Sequence, residues 1–158
     1  MSAEHIEVGD RFPSFSLPDQ SGKPFALDDV LGQGAVVLFF YPKDGTAGCT
    51  KEVCSFRDAS AEFLGAGAVV AGISSDDAAS HERFAARHGL GYPLLADVGG
   101  ALRERVGVPR AMLGLVEGRV TYVLDREGIV RHRFDSMVGV SKHVVEALAT
   151  VRALGAGR

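Results

Sequence analysis

From Ala35 to Tyr41 the chain is apolar and rich in Val and Phe, with no charged interruption. That pattern predicts a central strand buried on both faces. Pro42, Asp44 and Gly45 are turn formers and end it. From Ala47 the spacing becomes helical, with Cys49, Val53, Phe56, Ser60 and Phe63 recurring every three or four residues. Thr46 is the predicted N-cap of this helix, which should reach Leu64 and stop at Gly65 and Gly67. Before it, Phe12 to Leu27 reads as short extended pieces with a turn at Asp19–Gly22, and Asp28–Gly32 as one helical turn. After it come a strand over Ala68–Ser74, a helix over Ala78–His88 ended by Gly89, a short strand at Leu94–Ala96 and a helical segment at Ala101–Val106. Val120–Leu124 and Ile129–Phe134 flank Asp125–Gly128 as a hairpin. A closing helix over Ser141–Leu154 should bury Val144, Val145, Leu148 and Val151 on one face. Strands alternating with helices predict a three-layer α/β fold, a mixed central β-sheet flanked by helices. No repeat or linker divides the chain, so residues 1–158 are expected to be one domain.

Composition adds exclusions. The chain has 158 residues, 46% hydrophobic and 23% charged, which suits an ordinary globular core. A net charge of −3 offers no footprint for nucleic acid or an anionic membrane. No apolar stretch approaches membrane-spanning length, and Met1 to Asp10 is acidic without an apolar leader core. A cytoplasmic location is therefore expected. Two cysteines cannot build a secreted disulfide framework, and a close pair in a reducing compartment points to catalysis or redox sensing.

The candidate chemistry centres on Cys49, placed in the first turn of a helix just past a buried strand. An unperturbed thiol is only about 3% thiolate at pH 7, so a working cysteine needs local positive potential. Unpaired N–H groups and the macrodipole of a helix start supply it. Thr46, three residues earlier, offers a hydroxyl that can accept from the thiol side or donate to a substrate oxygen. Pro42 has a fixed φ and gives the turn a rigid wall. The bland alternative makes Cys49 and Cys54 small core residues. Elsewhere the signals are poor. His5, His81, His88, His132 and His143 lack metal-ligand spacing, so no metal is expected. Gly65-Ala66-Gly67 follows a helix and lacks the third glycine of a dinucleotide fingerprint. No serine sits in a nucleophile elbow. Arg131-His132-Arg133 reads as a solvated face, and Arg119, taken alone, as a solvated charge at a strand edge.

Pro42-x-x-x-Thr46-x-x-Cys49 resembles the active-site signature of the peroxiredoxins, thiol peroxidases on a thioredoxin-like fold. Cys54, within Thr46-Ala47-Gly48-Cys49-Thr50-Lys51-Glu52-Val53-Cys54-Ser55-Phe56-Arg57-Asp58, narrows the resemblance to the peroxiredoxin Q, or bacterioferritin comigratory protein, type. The likeness runs from about Val8 to the last helix. Ala47 departs from the family's usual proline, which would stiffen the helix start. The resemblance implies reduction of hydrogen peroxide and organic hydroperoxides, with Cys49 as peroxidatic nucleophile and Arg119 beside its thiolate. It implies that Glu52, one helical turn after Cys49, orients that arginine. It further implies a Cys49–Cys54 disulfide recycled by thioredoxin or a similar dithiol, no organic or metal cofactor, and a monomer in preference to a dimer. Two rivals stay open: a redox switch that oxidises once to change partners, and a thiol–disulfide exchange protein, for which the Cys-x-x-Cys spacing is missing.

Helix geometry constrains that disulfide. On a regular helix, residues five apart have Cα atoms roughly 8.7 Å apart and point to different sides. A disulfide spans about 4.4–6.8 Å, so the helix must open for the bond to close. Cys54 has Thr50, Arg57 and Asp58 one turn away and should lie on the wetter side. A continuous helix through both cysteines is expected in the reduced protein.

Overall fold

The computed structural model describes residues 5–111, 114 and 116–156; Met1 to Glu4, part of the acidic opening, lie outside them. Its first half runs β1 (Ser16–Pro18), β2 (Pro24–Ala26), α1 (Leu27–Leu31), β3 (Val36–Phe40), α2 (Ala47–Asp58), α3 (Ser60–Gly65) and β4 (Val69–Ser74). The second half runs α4 (Ala78–His88), β5 (Leu94–Ala96), α5 (Ala101–Val106), β6 (Arg110–Ala111), β7 (Val116–Glu117), β8 (Val120–Leu124), β9 (Val130–Asp135) and α6 (Val140–Ala156). Five strands form the main sheet in the order β5-β4-β3-β8-β9. Strands β3, β4 and β5 are parallel, whereas β8 and β9 join antiparallel, so the sheet is mixed as expected.

The apolar run of β3 is explained by its central position. Val37, Phe39 and Tyr41 face one core, with Cys49, Val53 and Phe56 of α2 and Val144, Leu148 and Val151 of α6. Val36, Leu38 and Phe40 face the other, with Leu27, Leu102, Val106 and Phe12. A strand covered on both sides has no face to give to polar residues. The layers thus pin α2 and its cysteines against the carboxyl end of the middle strand.

Three sequence expectations need correction, and one element is new. The helix after the turn does not run unbroken to Leu64: Ala59, at φ −93° and ψ 4°, separates α2 from α3. The Ser60 hydroxyl takes the Phe56 carbonyl at 3.2 Å, a local side-chain bond of the kind that bends helices. Val145 does not share the buried face of α6 and is 66% exposed; Ala147 fills that face instead. Arg133 is not on a solvated face, since it lies half-buried over the Tyr122 ring, although Arg131 is exposed and pairs with Asp125. The small β6–β7 ladder, only two residues per strand, was not foreseen.

Gly72 of β4 sits opposite Phe39 in register, and a Cβ there would lie 2.6 Å from the Phe39 ring. That ring stacks on Phe56 of α2 at 4.2 Å, so the missing side chain seats the helix on the sheet. Gly72→Ala should cost about 1–3 kcal/mol through overpacking. Urea denaturation followed by circular dichroism measures it, and an unchanged midpoint would show that Phe39 has room to move.

Candidate active site

The turn between β3 and α2 is held by side chains rather than by its own backbone. Gly45 takes a left-handed φ of +81°, which a side chain would disfavour. The Asp44 N–H donates to Asp76 Oδ2 at 2.8 Å. The Asp44 carboxylate accepts from the Tyr41 hydroxyl at 2.6 Å and from Ser80 Oγ at 2.8 Å, and faces His81 Nδ1 at 2.7 Å. His81 Nε2–H donates to the Leu95 carbonyl at 2.9 Å. Burial pulls the Asp44 carboxyl upward, but the bonds from His81, Tyr41 and Ser80 outweigh it and hold the group below the usual carboxylate range. Sequence spacing missed this cluster, in which ligand atoms of Asp44, Asp76 and His81 lie within 4.8 Å of one another. Its composition would suit a cation, yet Ser74, Ser80, Tyr41 and the Asp44 amide already occupy its oxygens with protons.

Thr46 is the N-cap residue of α2, as expected, but its hydroxyl caps no N–H and instead donates to the Lys43 carbonyl at 3.0 Å. With its proton used, the oxygen offers lone pairs outward, so it is placed as an acceptor and not as a donor to substrate. The first-turn amides of α2 are left without a side-chain cap, which keeps their positive potential for whatever binds there. Pro42 and Thr46 line one open cleft of about 550 Å³ together with Lys43, Ser75, Asp76, Arg110, Val116 and Glu117.

Cys49 lies beneath that turn, 1% exposed, and its thiol is free. Arg119, immediately before β8, is buried and not the solvated charge its position alone suggested. One of its terminal nitrogens, Nη2, stands 3.6 Å from Cys49 Sγ, while Nη1 donates to Glu52 Oε1 at 2.5 Å and Nε to the Met137 carbonyl at 3.3 Å. Gly48 makes room for this: a Cβ on it would lie 3.0 Å from Nη2. Glu52 is fully buried. Burial is the main influence on its carboxyl and pushes it up to about 7, against the pull of Arg119. Among the described residues its second oxygen has no hydrogen-bond partner; His143 Nδ1 stands 3.7 Å away but accepts from Thr121 at 2.8 Å, because His143 Nε2–H is committed to the Ser136 carbonyl. Burial favours neutral His143 as well.

A second buried guanidinium was missed altogether. Arg103 donates to the Tyr41 carbonyl at 2.8 Å and the Gly118 carbonyl at 3.2 Å, joining the end of β3 to the residue before Arg119. Gly118 itself has no space for a Cβ, which would meet the Pro109 oxygen at 2.0 Å. No local pattern in the sequence signals such a contact. Cys54, also free, is half-buried further along α2, on the wetter side as the helical spacing predicted. Both cysteines lie within the continuous helix Ala47–Asp58.

Residues 8–133 match the AhpC/TSA family. The chain is 45% identical to the chloroplastic peroxiredoxin Q of Triticum aestivum over 149 residues, which cover 94% of this chain and 68% of that protein. The chloroplastic peroxiredoxin Q of Arabidopsis thaliana is likewise 45% identical, over 148 residues, with the same 94% and 68% coverage. Among solved structures, the peroxidoxin BcpB of Mycobacterium tuberculosis superposes with a TM-score of 0.87 at 42% identity, covering 94% of this chain and 98% of that one. A peroxiredoxin Q structure from Xanthomonas campestris gives 0.82 at 33% identity, covering 95% and 97%.

The buried Glu52 makes a pH prediction with a definite sign. Its folded carboxyl holds a proton up to about 7, above the ordinary value of 4.5, so the native state binds more protons than the unfolded chain between those values. Stability from this group is complete below the lower value and falls as pH rises through the upper one, by about 3 kcal/mol in all. Lowered His143 contributes the opposite slope, so the comparison must be differential. The stability of wild type minus that of Glu52→Gln should fall between pH 4.5 and pH 8 in urea titrations; a flat or rising difference would mean that Arg119 holds the carboxylate ionised throughout.

Proposed function

The chain belongs to the AhpC/TSA family and, within it, to the peroxiredoxins of the Q type, so it is a thiol peroxidase, and we propose that Cys49 is its peroxidatic residue. The observation that carries this assignment is the 3.6 Å approach of the Arg119 guanidinium to Cys49 Sγ, with Glu52 bonded behind it. The Cys49 thiolate attacks one oxygen of the hydroperoxide, the O–O bond breaks, and a sulfenic acid forms as the other oxygen leaves as water or alcohol. Arg119 and the uncapped amides of the first turn stabilise the negative charge that moves onto the departing oxygen. Thr46 accepts the hydrogen bond of the incoming peroxide, and Pro42, which lines the same open cleft as Thr46, keeps the turn rigid. Glu52 fixes the plane of the guanidinium fork and leaves one face for substrate.

In this reading Cys54 attacks the sulfenic sulfur, hydroxide leaves, and the resulting Cys49–Cys54 disulfide is reduced by a thioredoxin-type dithiol. Hydrogen peroxide and organic hydroperoxides are the substrates, and no bound cofactor takes part. Among the described residues no helix is long and apolar enough to cross a membrane. We extend the proposal to a cytoplasmic enzyme, although the plant relatives are named chloroplastic, and to a monomer. The monomer is supported by the large exposed apolar side chains, Val8, Leu64, Val98, Val138 and Val145, which fall on separate segments.

Turnover of the wild type, set against its variants, separates this from a one-shot redox switch. With peroxide, thioredoxin and its reductase, the wild type should turn over many equivalents; Cys49→Ser should consume none. Stopping after one equivalent would favour the switch. Arg119→Ala should slow oxidation of Cys49 by about 10²–10³, and Arg119→Lys should recover only part, because an ammonium lacks the planar fork. Wild-type rates in Arg119→Ala would return that residue to a structural role.

A further inference from the structure

The Cys49–Cys54 pairing, on which this subsection rests, needs α2 to open, since roughly 8.7 Å between Cα atoms on a regular helix exceeds the ~4.4–6.8 Å a disulfide spans. What holds the helix shut between them therefore sets the speed of that step. Val53 stands inside the segment, with its side chain fully buried. Its carbonyl has two lone pairs, of which a regular helix uses one for the Arg57 N–H. The other receives the hydroxyl of Tyr92, at 2.6 Å, from the loop between α4 and β5. This is a long-range bond, 39 residues apart in the chain, into the stretch that must unwind. Burial keeps the Tyr92 phenol far above its ordinary pKa, so it remains a donor throughout the working range.

We propose that the Tyr92 hydroxyl is a positioning group for the resolving step, a latch that holds Val53 and the turn between the cysteines in the helix. Tyr92 touches neither sulfur; it acts through the backbone of α2. Unwinding pulls the Val53 carbonyl away and leaves a buried hydroxyl without its acceptor, a loss that opposes opening. The break at Ala59 separates α2 from α3, so the opening need not extend beyond Asp58. A second tie, Arg57 Nη1 to the His88 carbonyl at 2.8 Å, is on a half-exposed side chain where water can replace it. The latch sets a competition. While α2 is shut, the Cys49 sulfenic acid can meet a second hydroperoxide, which transfers an oxygen to give the sulfinic acid and leaves as water or alcohol; once α2 opens, Cys54 displaces hydroxide and closes the disulfide.

Tyr92→Phe tests this without disturbing the core, because the ring keeps its edge contact with Phe39 at 5.8 Å and the Val53 carbonyl keeps its helical partner. The chain has no tryptophan, so the reaction is followed by rapid quench, alkylation and mass spectrometry of the full-length protein mixed with hydrogen peroxide. Formation of the sulfenic acid should proceed at the wild-type rate, whereas disulfide formation should accelerate about tenfold. The peroxide concentration that converts half the protein to sulfinic acid should rise by the same factor. In the reduced variant, amide hydrogen exchange should quicken over residues 50–55 and stay unchanged in the sheet, which a general loss of stability would not produce. Equal rates of disulfide formation with unchanged exchange would overturn the latch and leave the Cys49–Cys54 pairing standing. If the wild type forms no such bond at all, the pairing fails and the latch with it.

Discussion

One buried cation organises this site. Arg119 reaches a thiol and a carboxylate on α2 and a carbonyl beyond β9, so a single guanidinium joins three segments that meet nowhere else in sequence. A charge so deeply placed is tolerable only if its donors are satisfied, and Glu52 supplies the charged partner. Glu52 is in turn an anion in a dry place with one oxygen unbonded, so it leans toward its proton. Cys49 and Glu52 compete for the same positive charge, and the competition lies along one face of one helix. Arg103 then fixes the geometry from outside, tying the residues that precede the β3–α2 turn and Arg119 to each other.

Much of this was legible from residue order, for a physical reason. Strands and helices follow from periodicity, and a strand–turn–helix junction places Pro42, Thr46 and Cys49 by local chemistry alone. Contacts between distant residues leave no such trace. The Arg119–Glu52 pair spans 67 positions and was expected only through a resemblance to a known family. Arg103 to Tyr41 spans 62 positions and was not expected at all. Asp44 was read as a turn former, which it is, but its partners Ser80 and His81 arrive from α4, beyond any local window. The break at Ala59 was missed because spacing describes which face a residue occupies and says nothing of a hydroxyl that captures a carbonyl.

Under the proposed Cys49–Cys54 pairing, helix α2 carries two incompatible requirements. Cys49, Val53 and Phe56 belong to the core and need a rigid helix that keeps the thiol against Arg119. Cys54 sits on the half-buried side and can meet Cys49 only if the same helix gives way. The fold accommodates both by ending α2 at Ala59 and anchoring it through contacts from other elements more than through capping at its start.

Gly48 carries a cost of its own. Glycine inside a helix is poor for stability, and replacing it by alanine is a routine route to a sturdier protein, worth about 1 kcal/mol. Here the methyl group would press on Arg119 Nη2. Any thermostabilising library built on helix propensity would favour position 48, and the variants it selected would crowd the guanidinium to which the proposed mechanism assigns the peroxide.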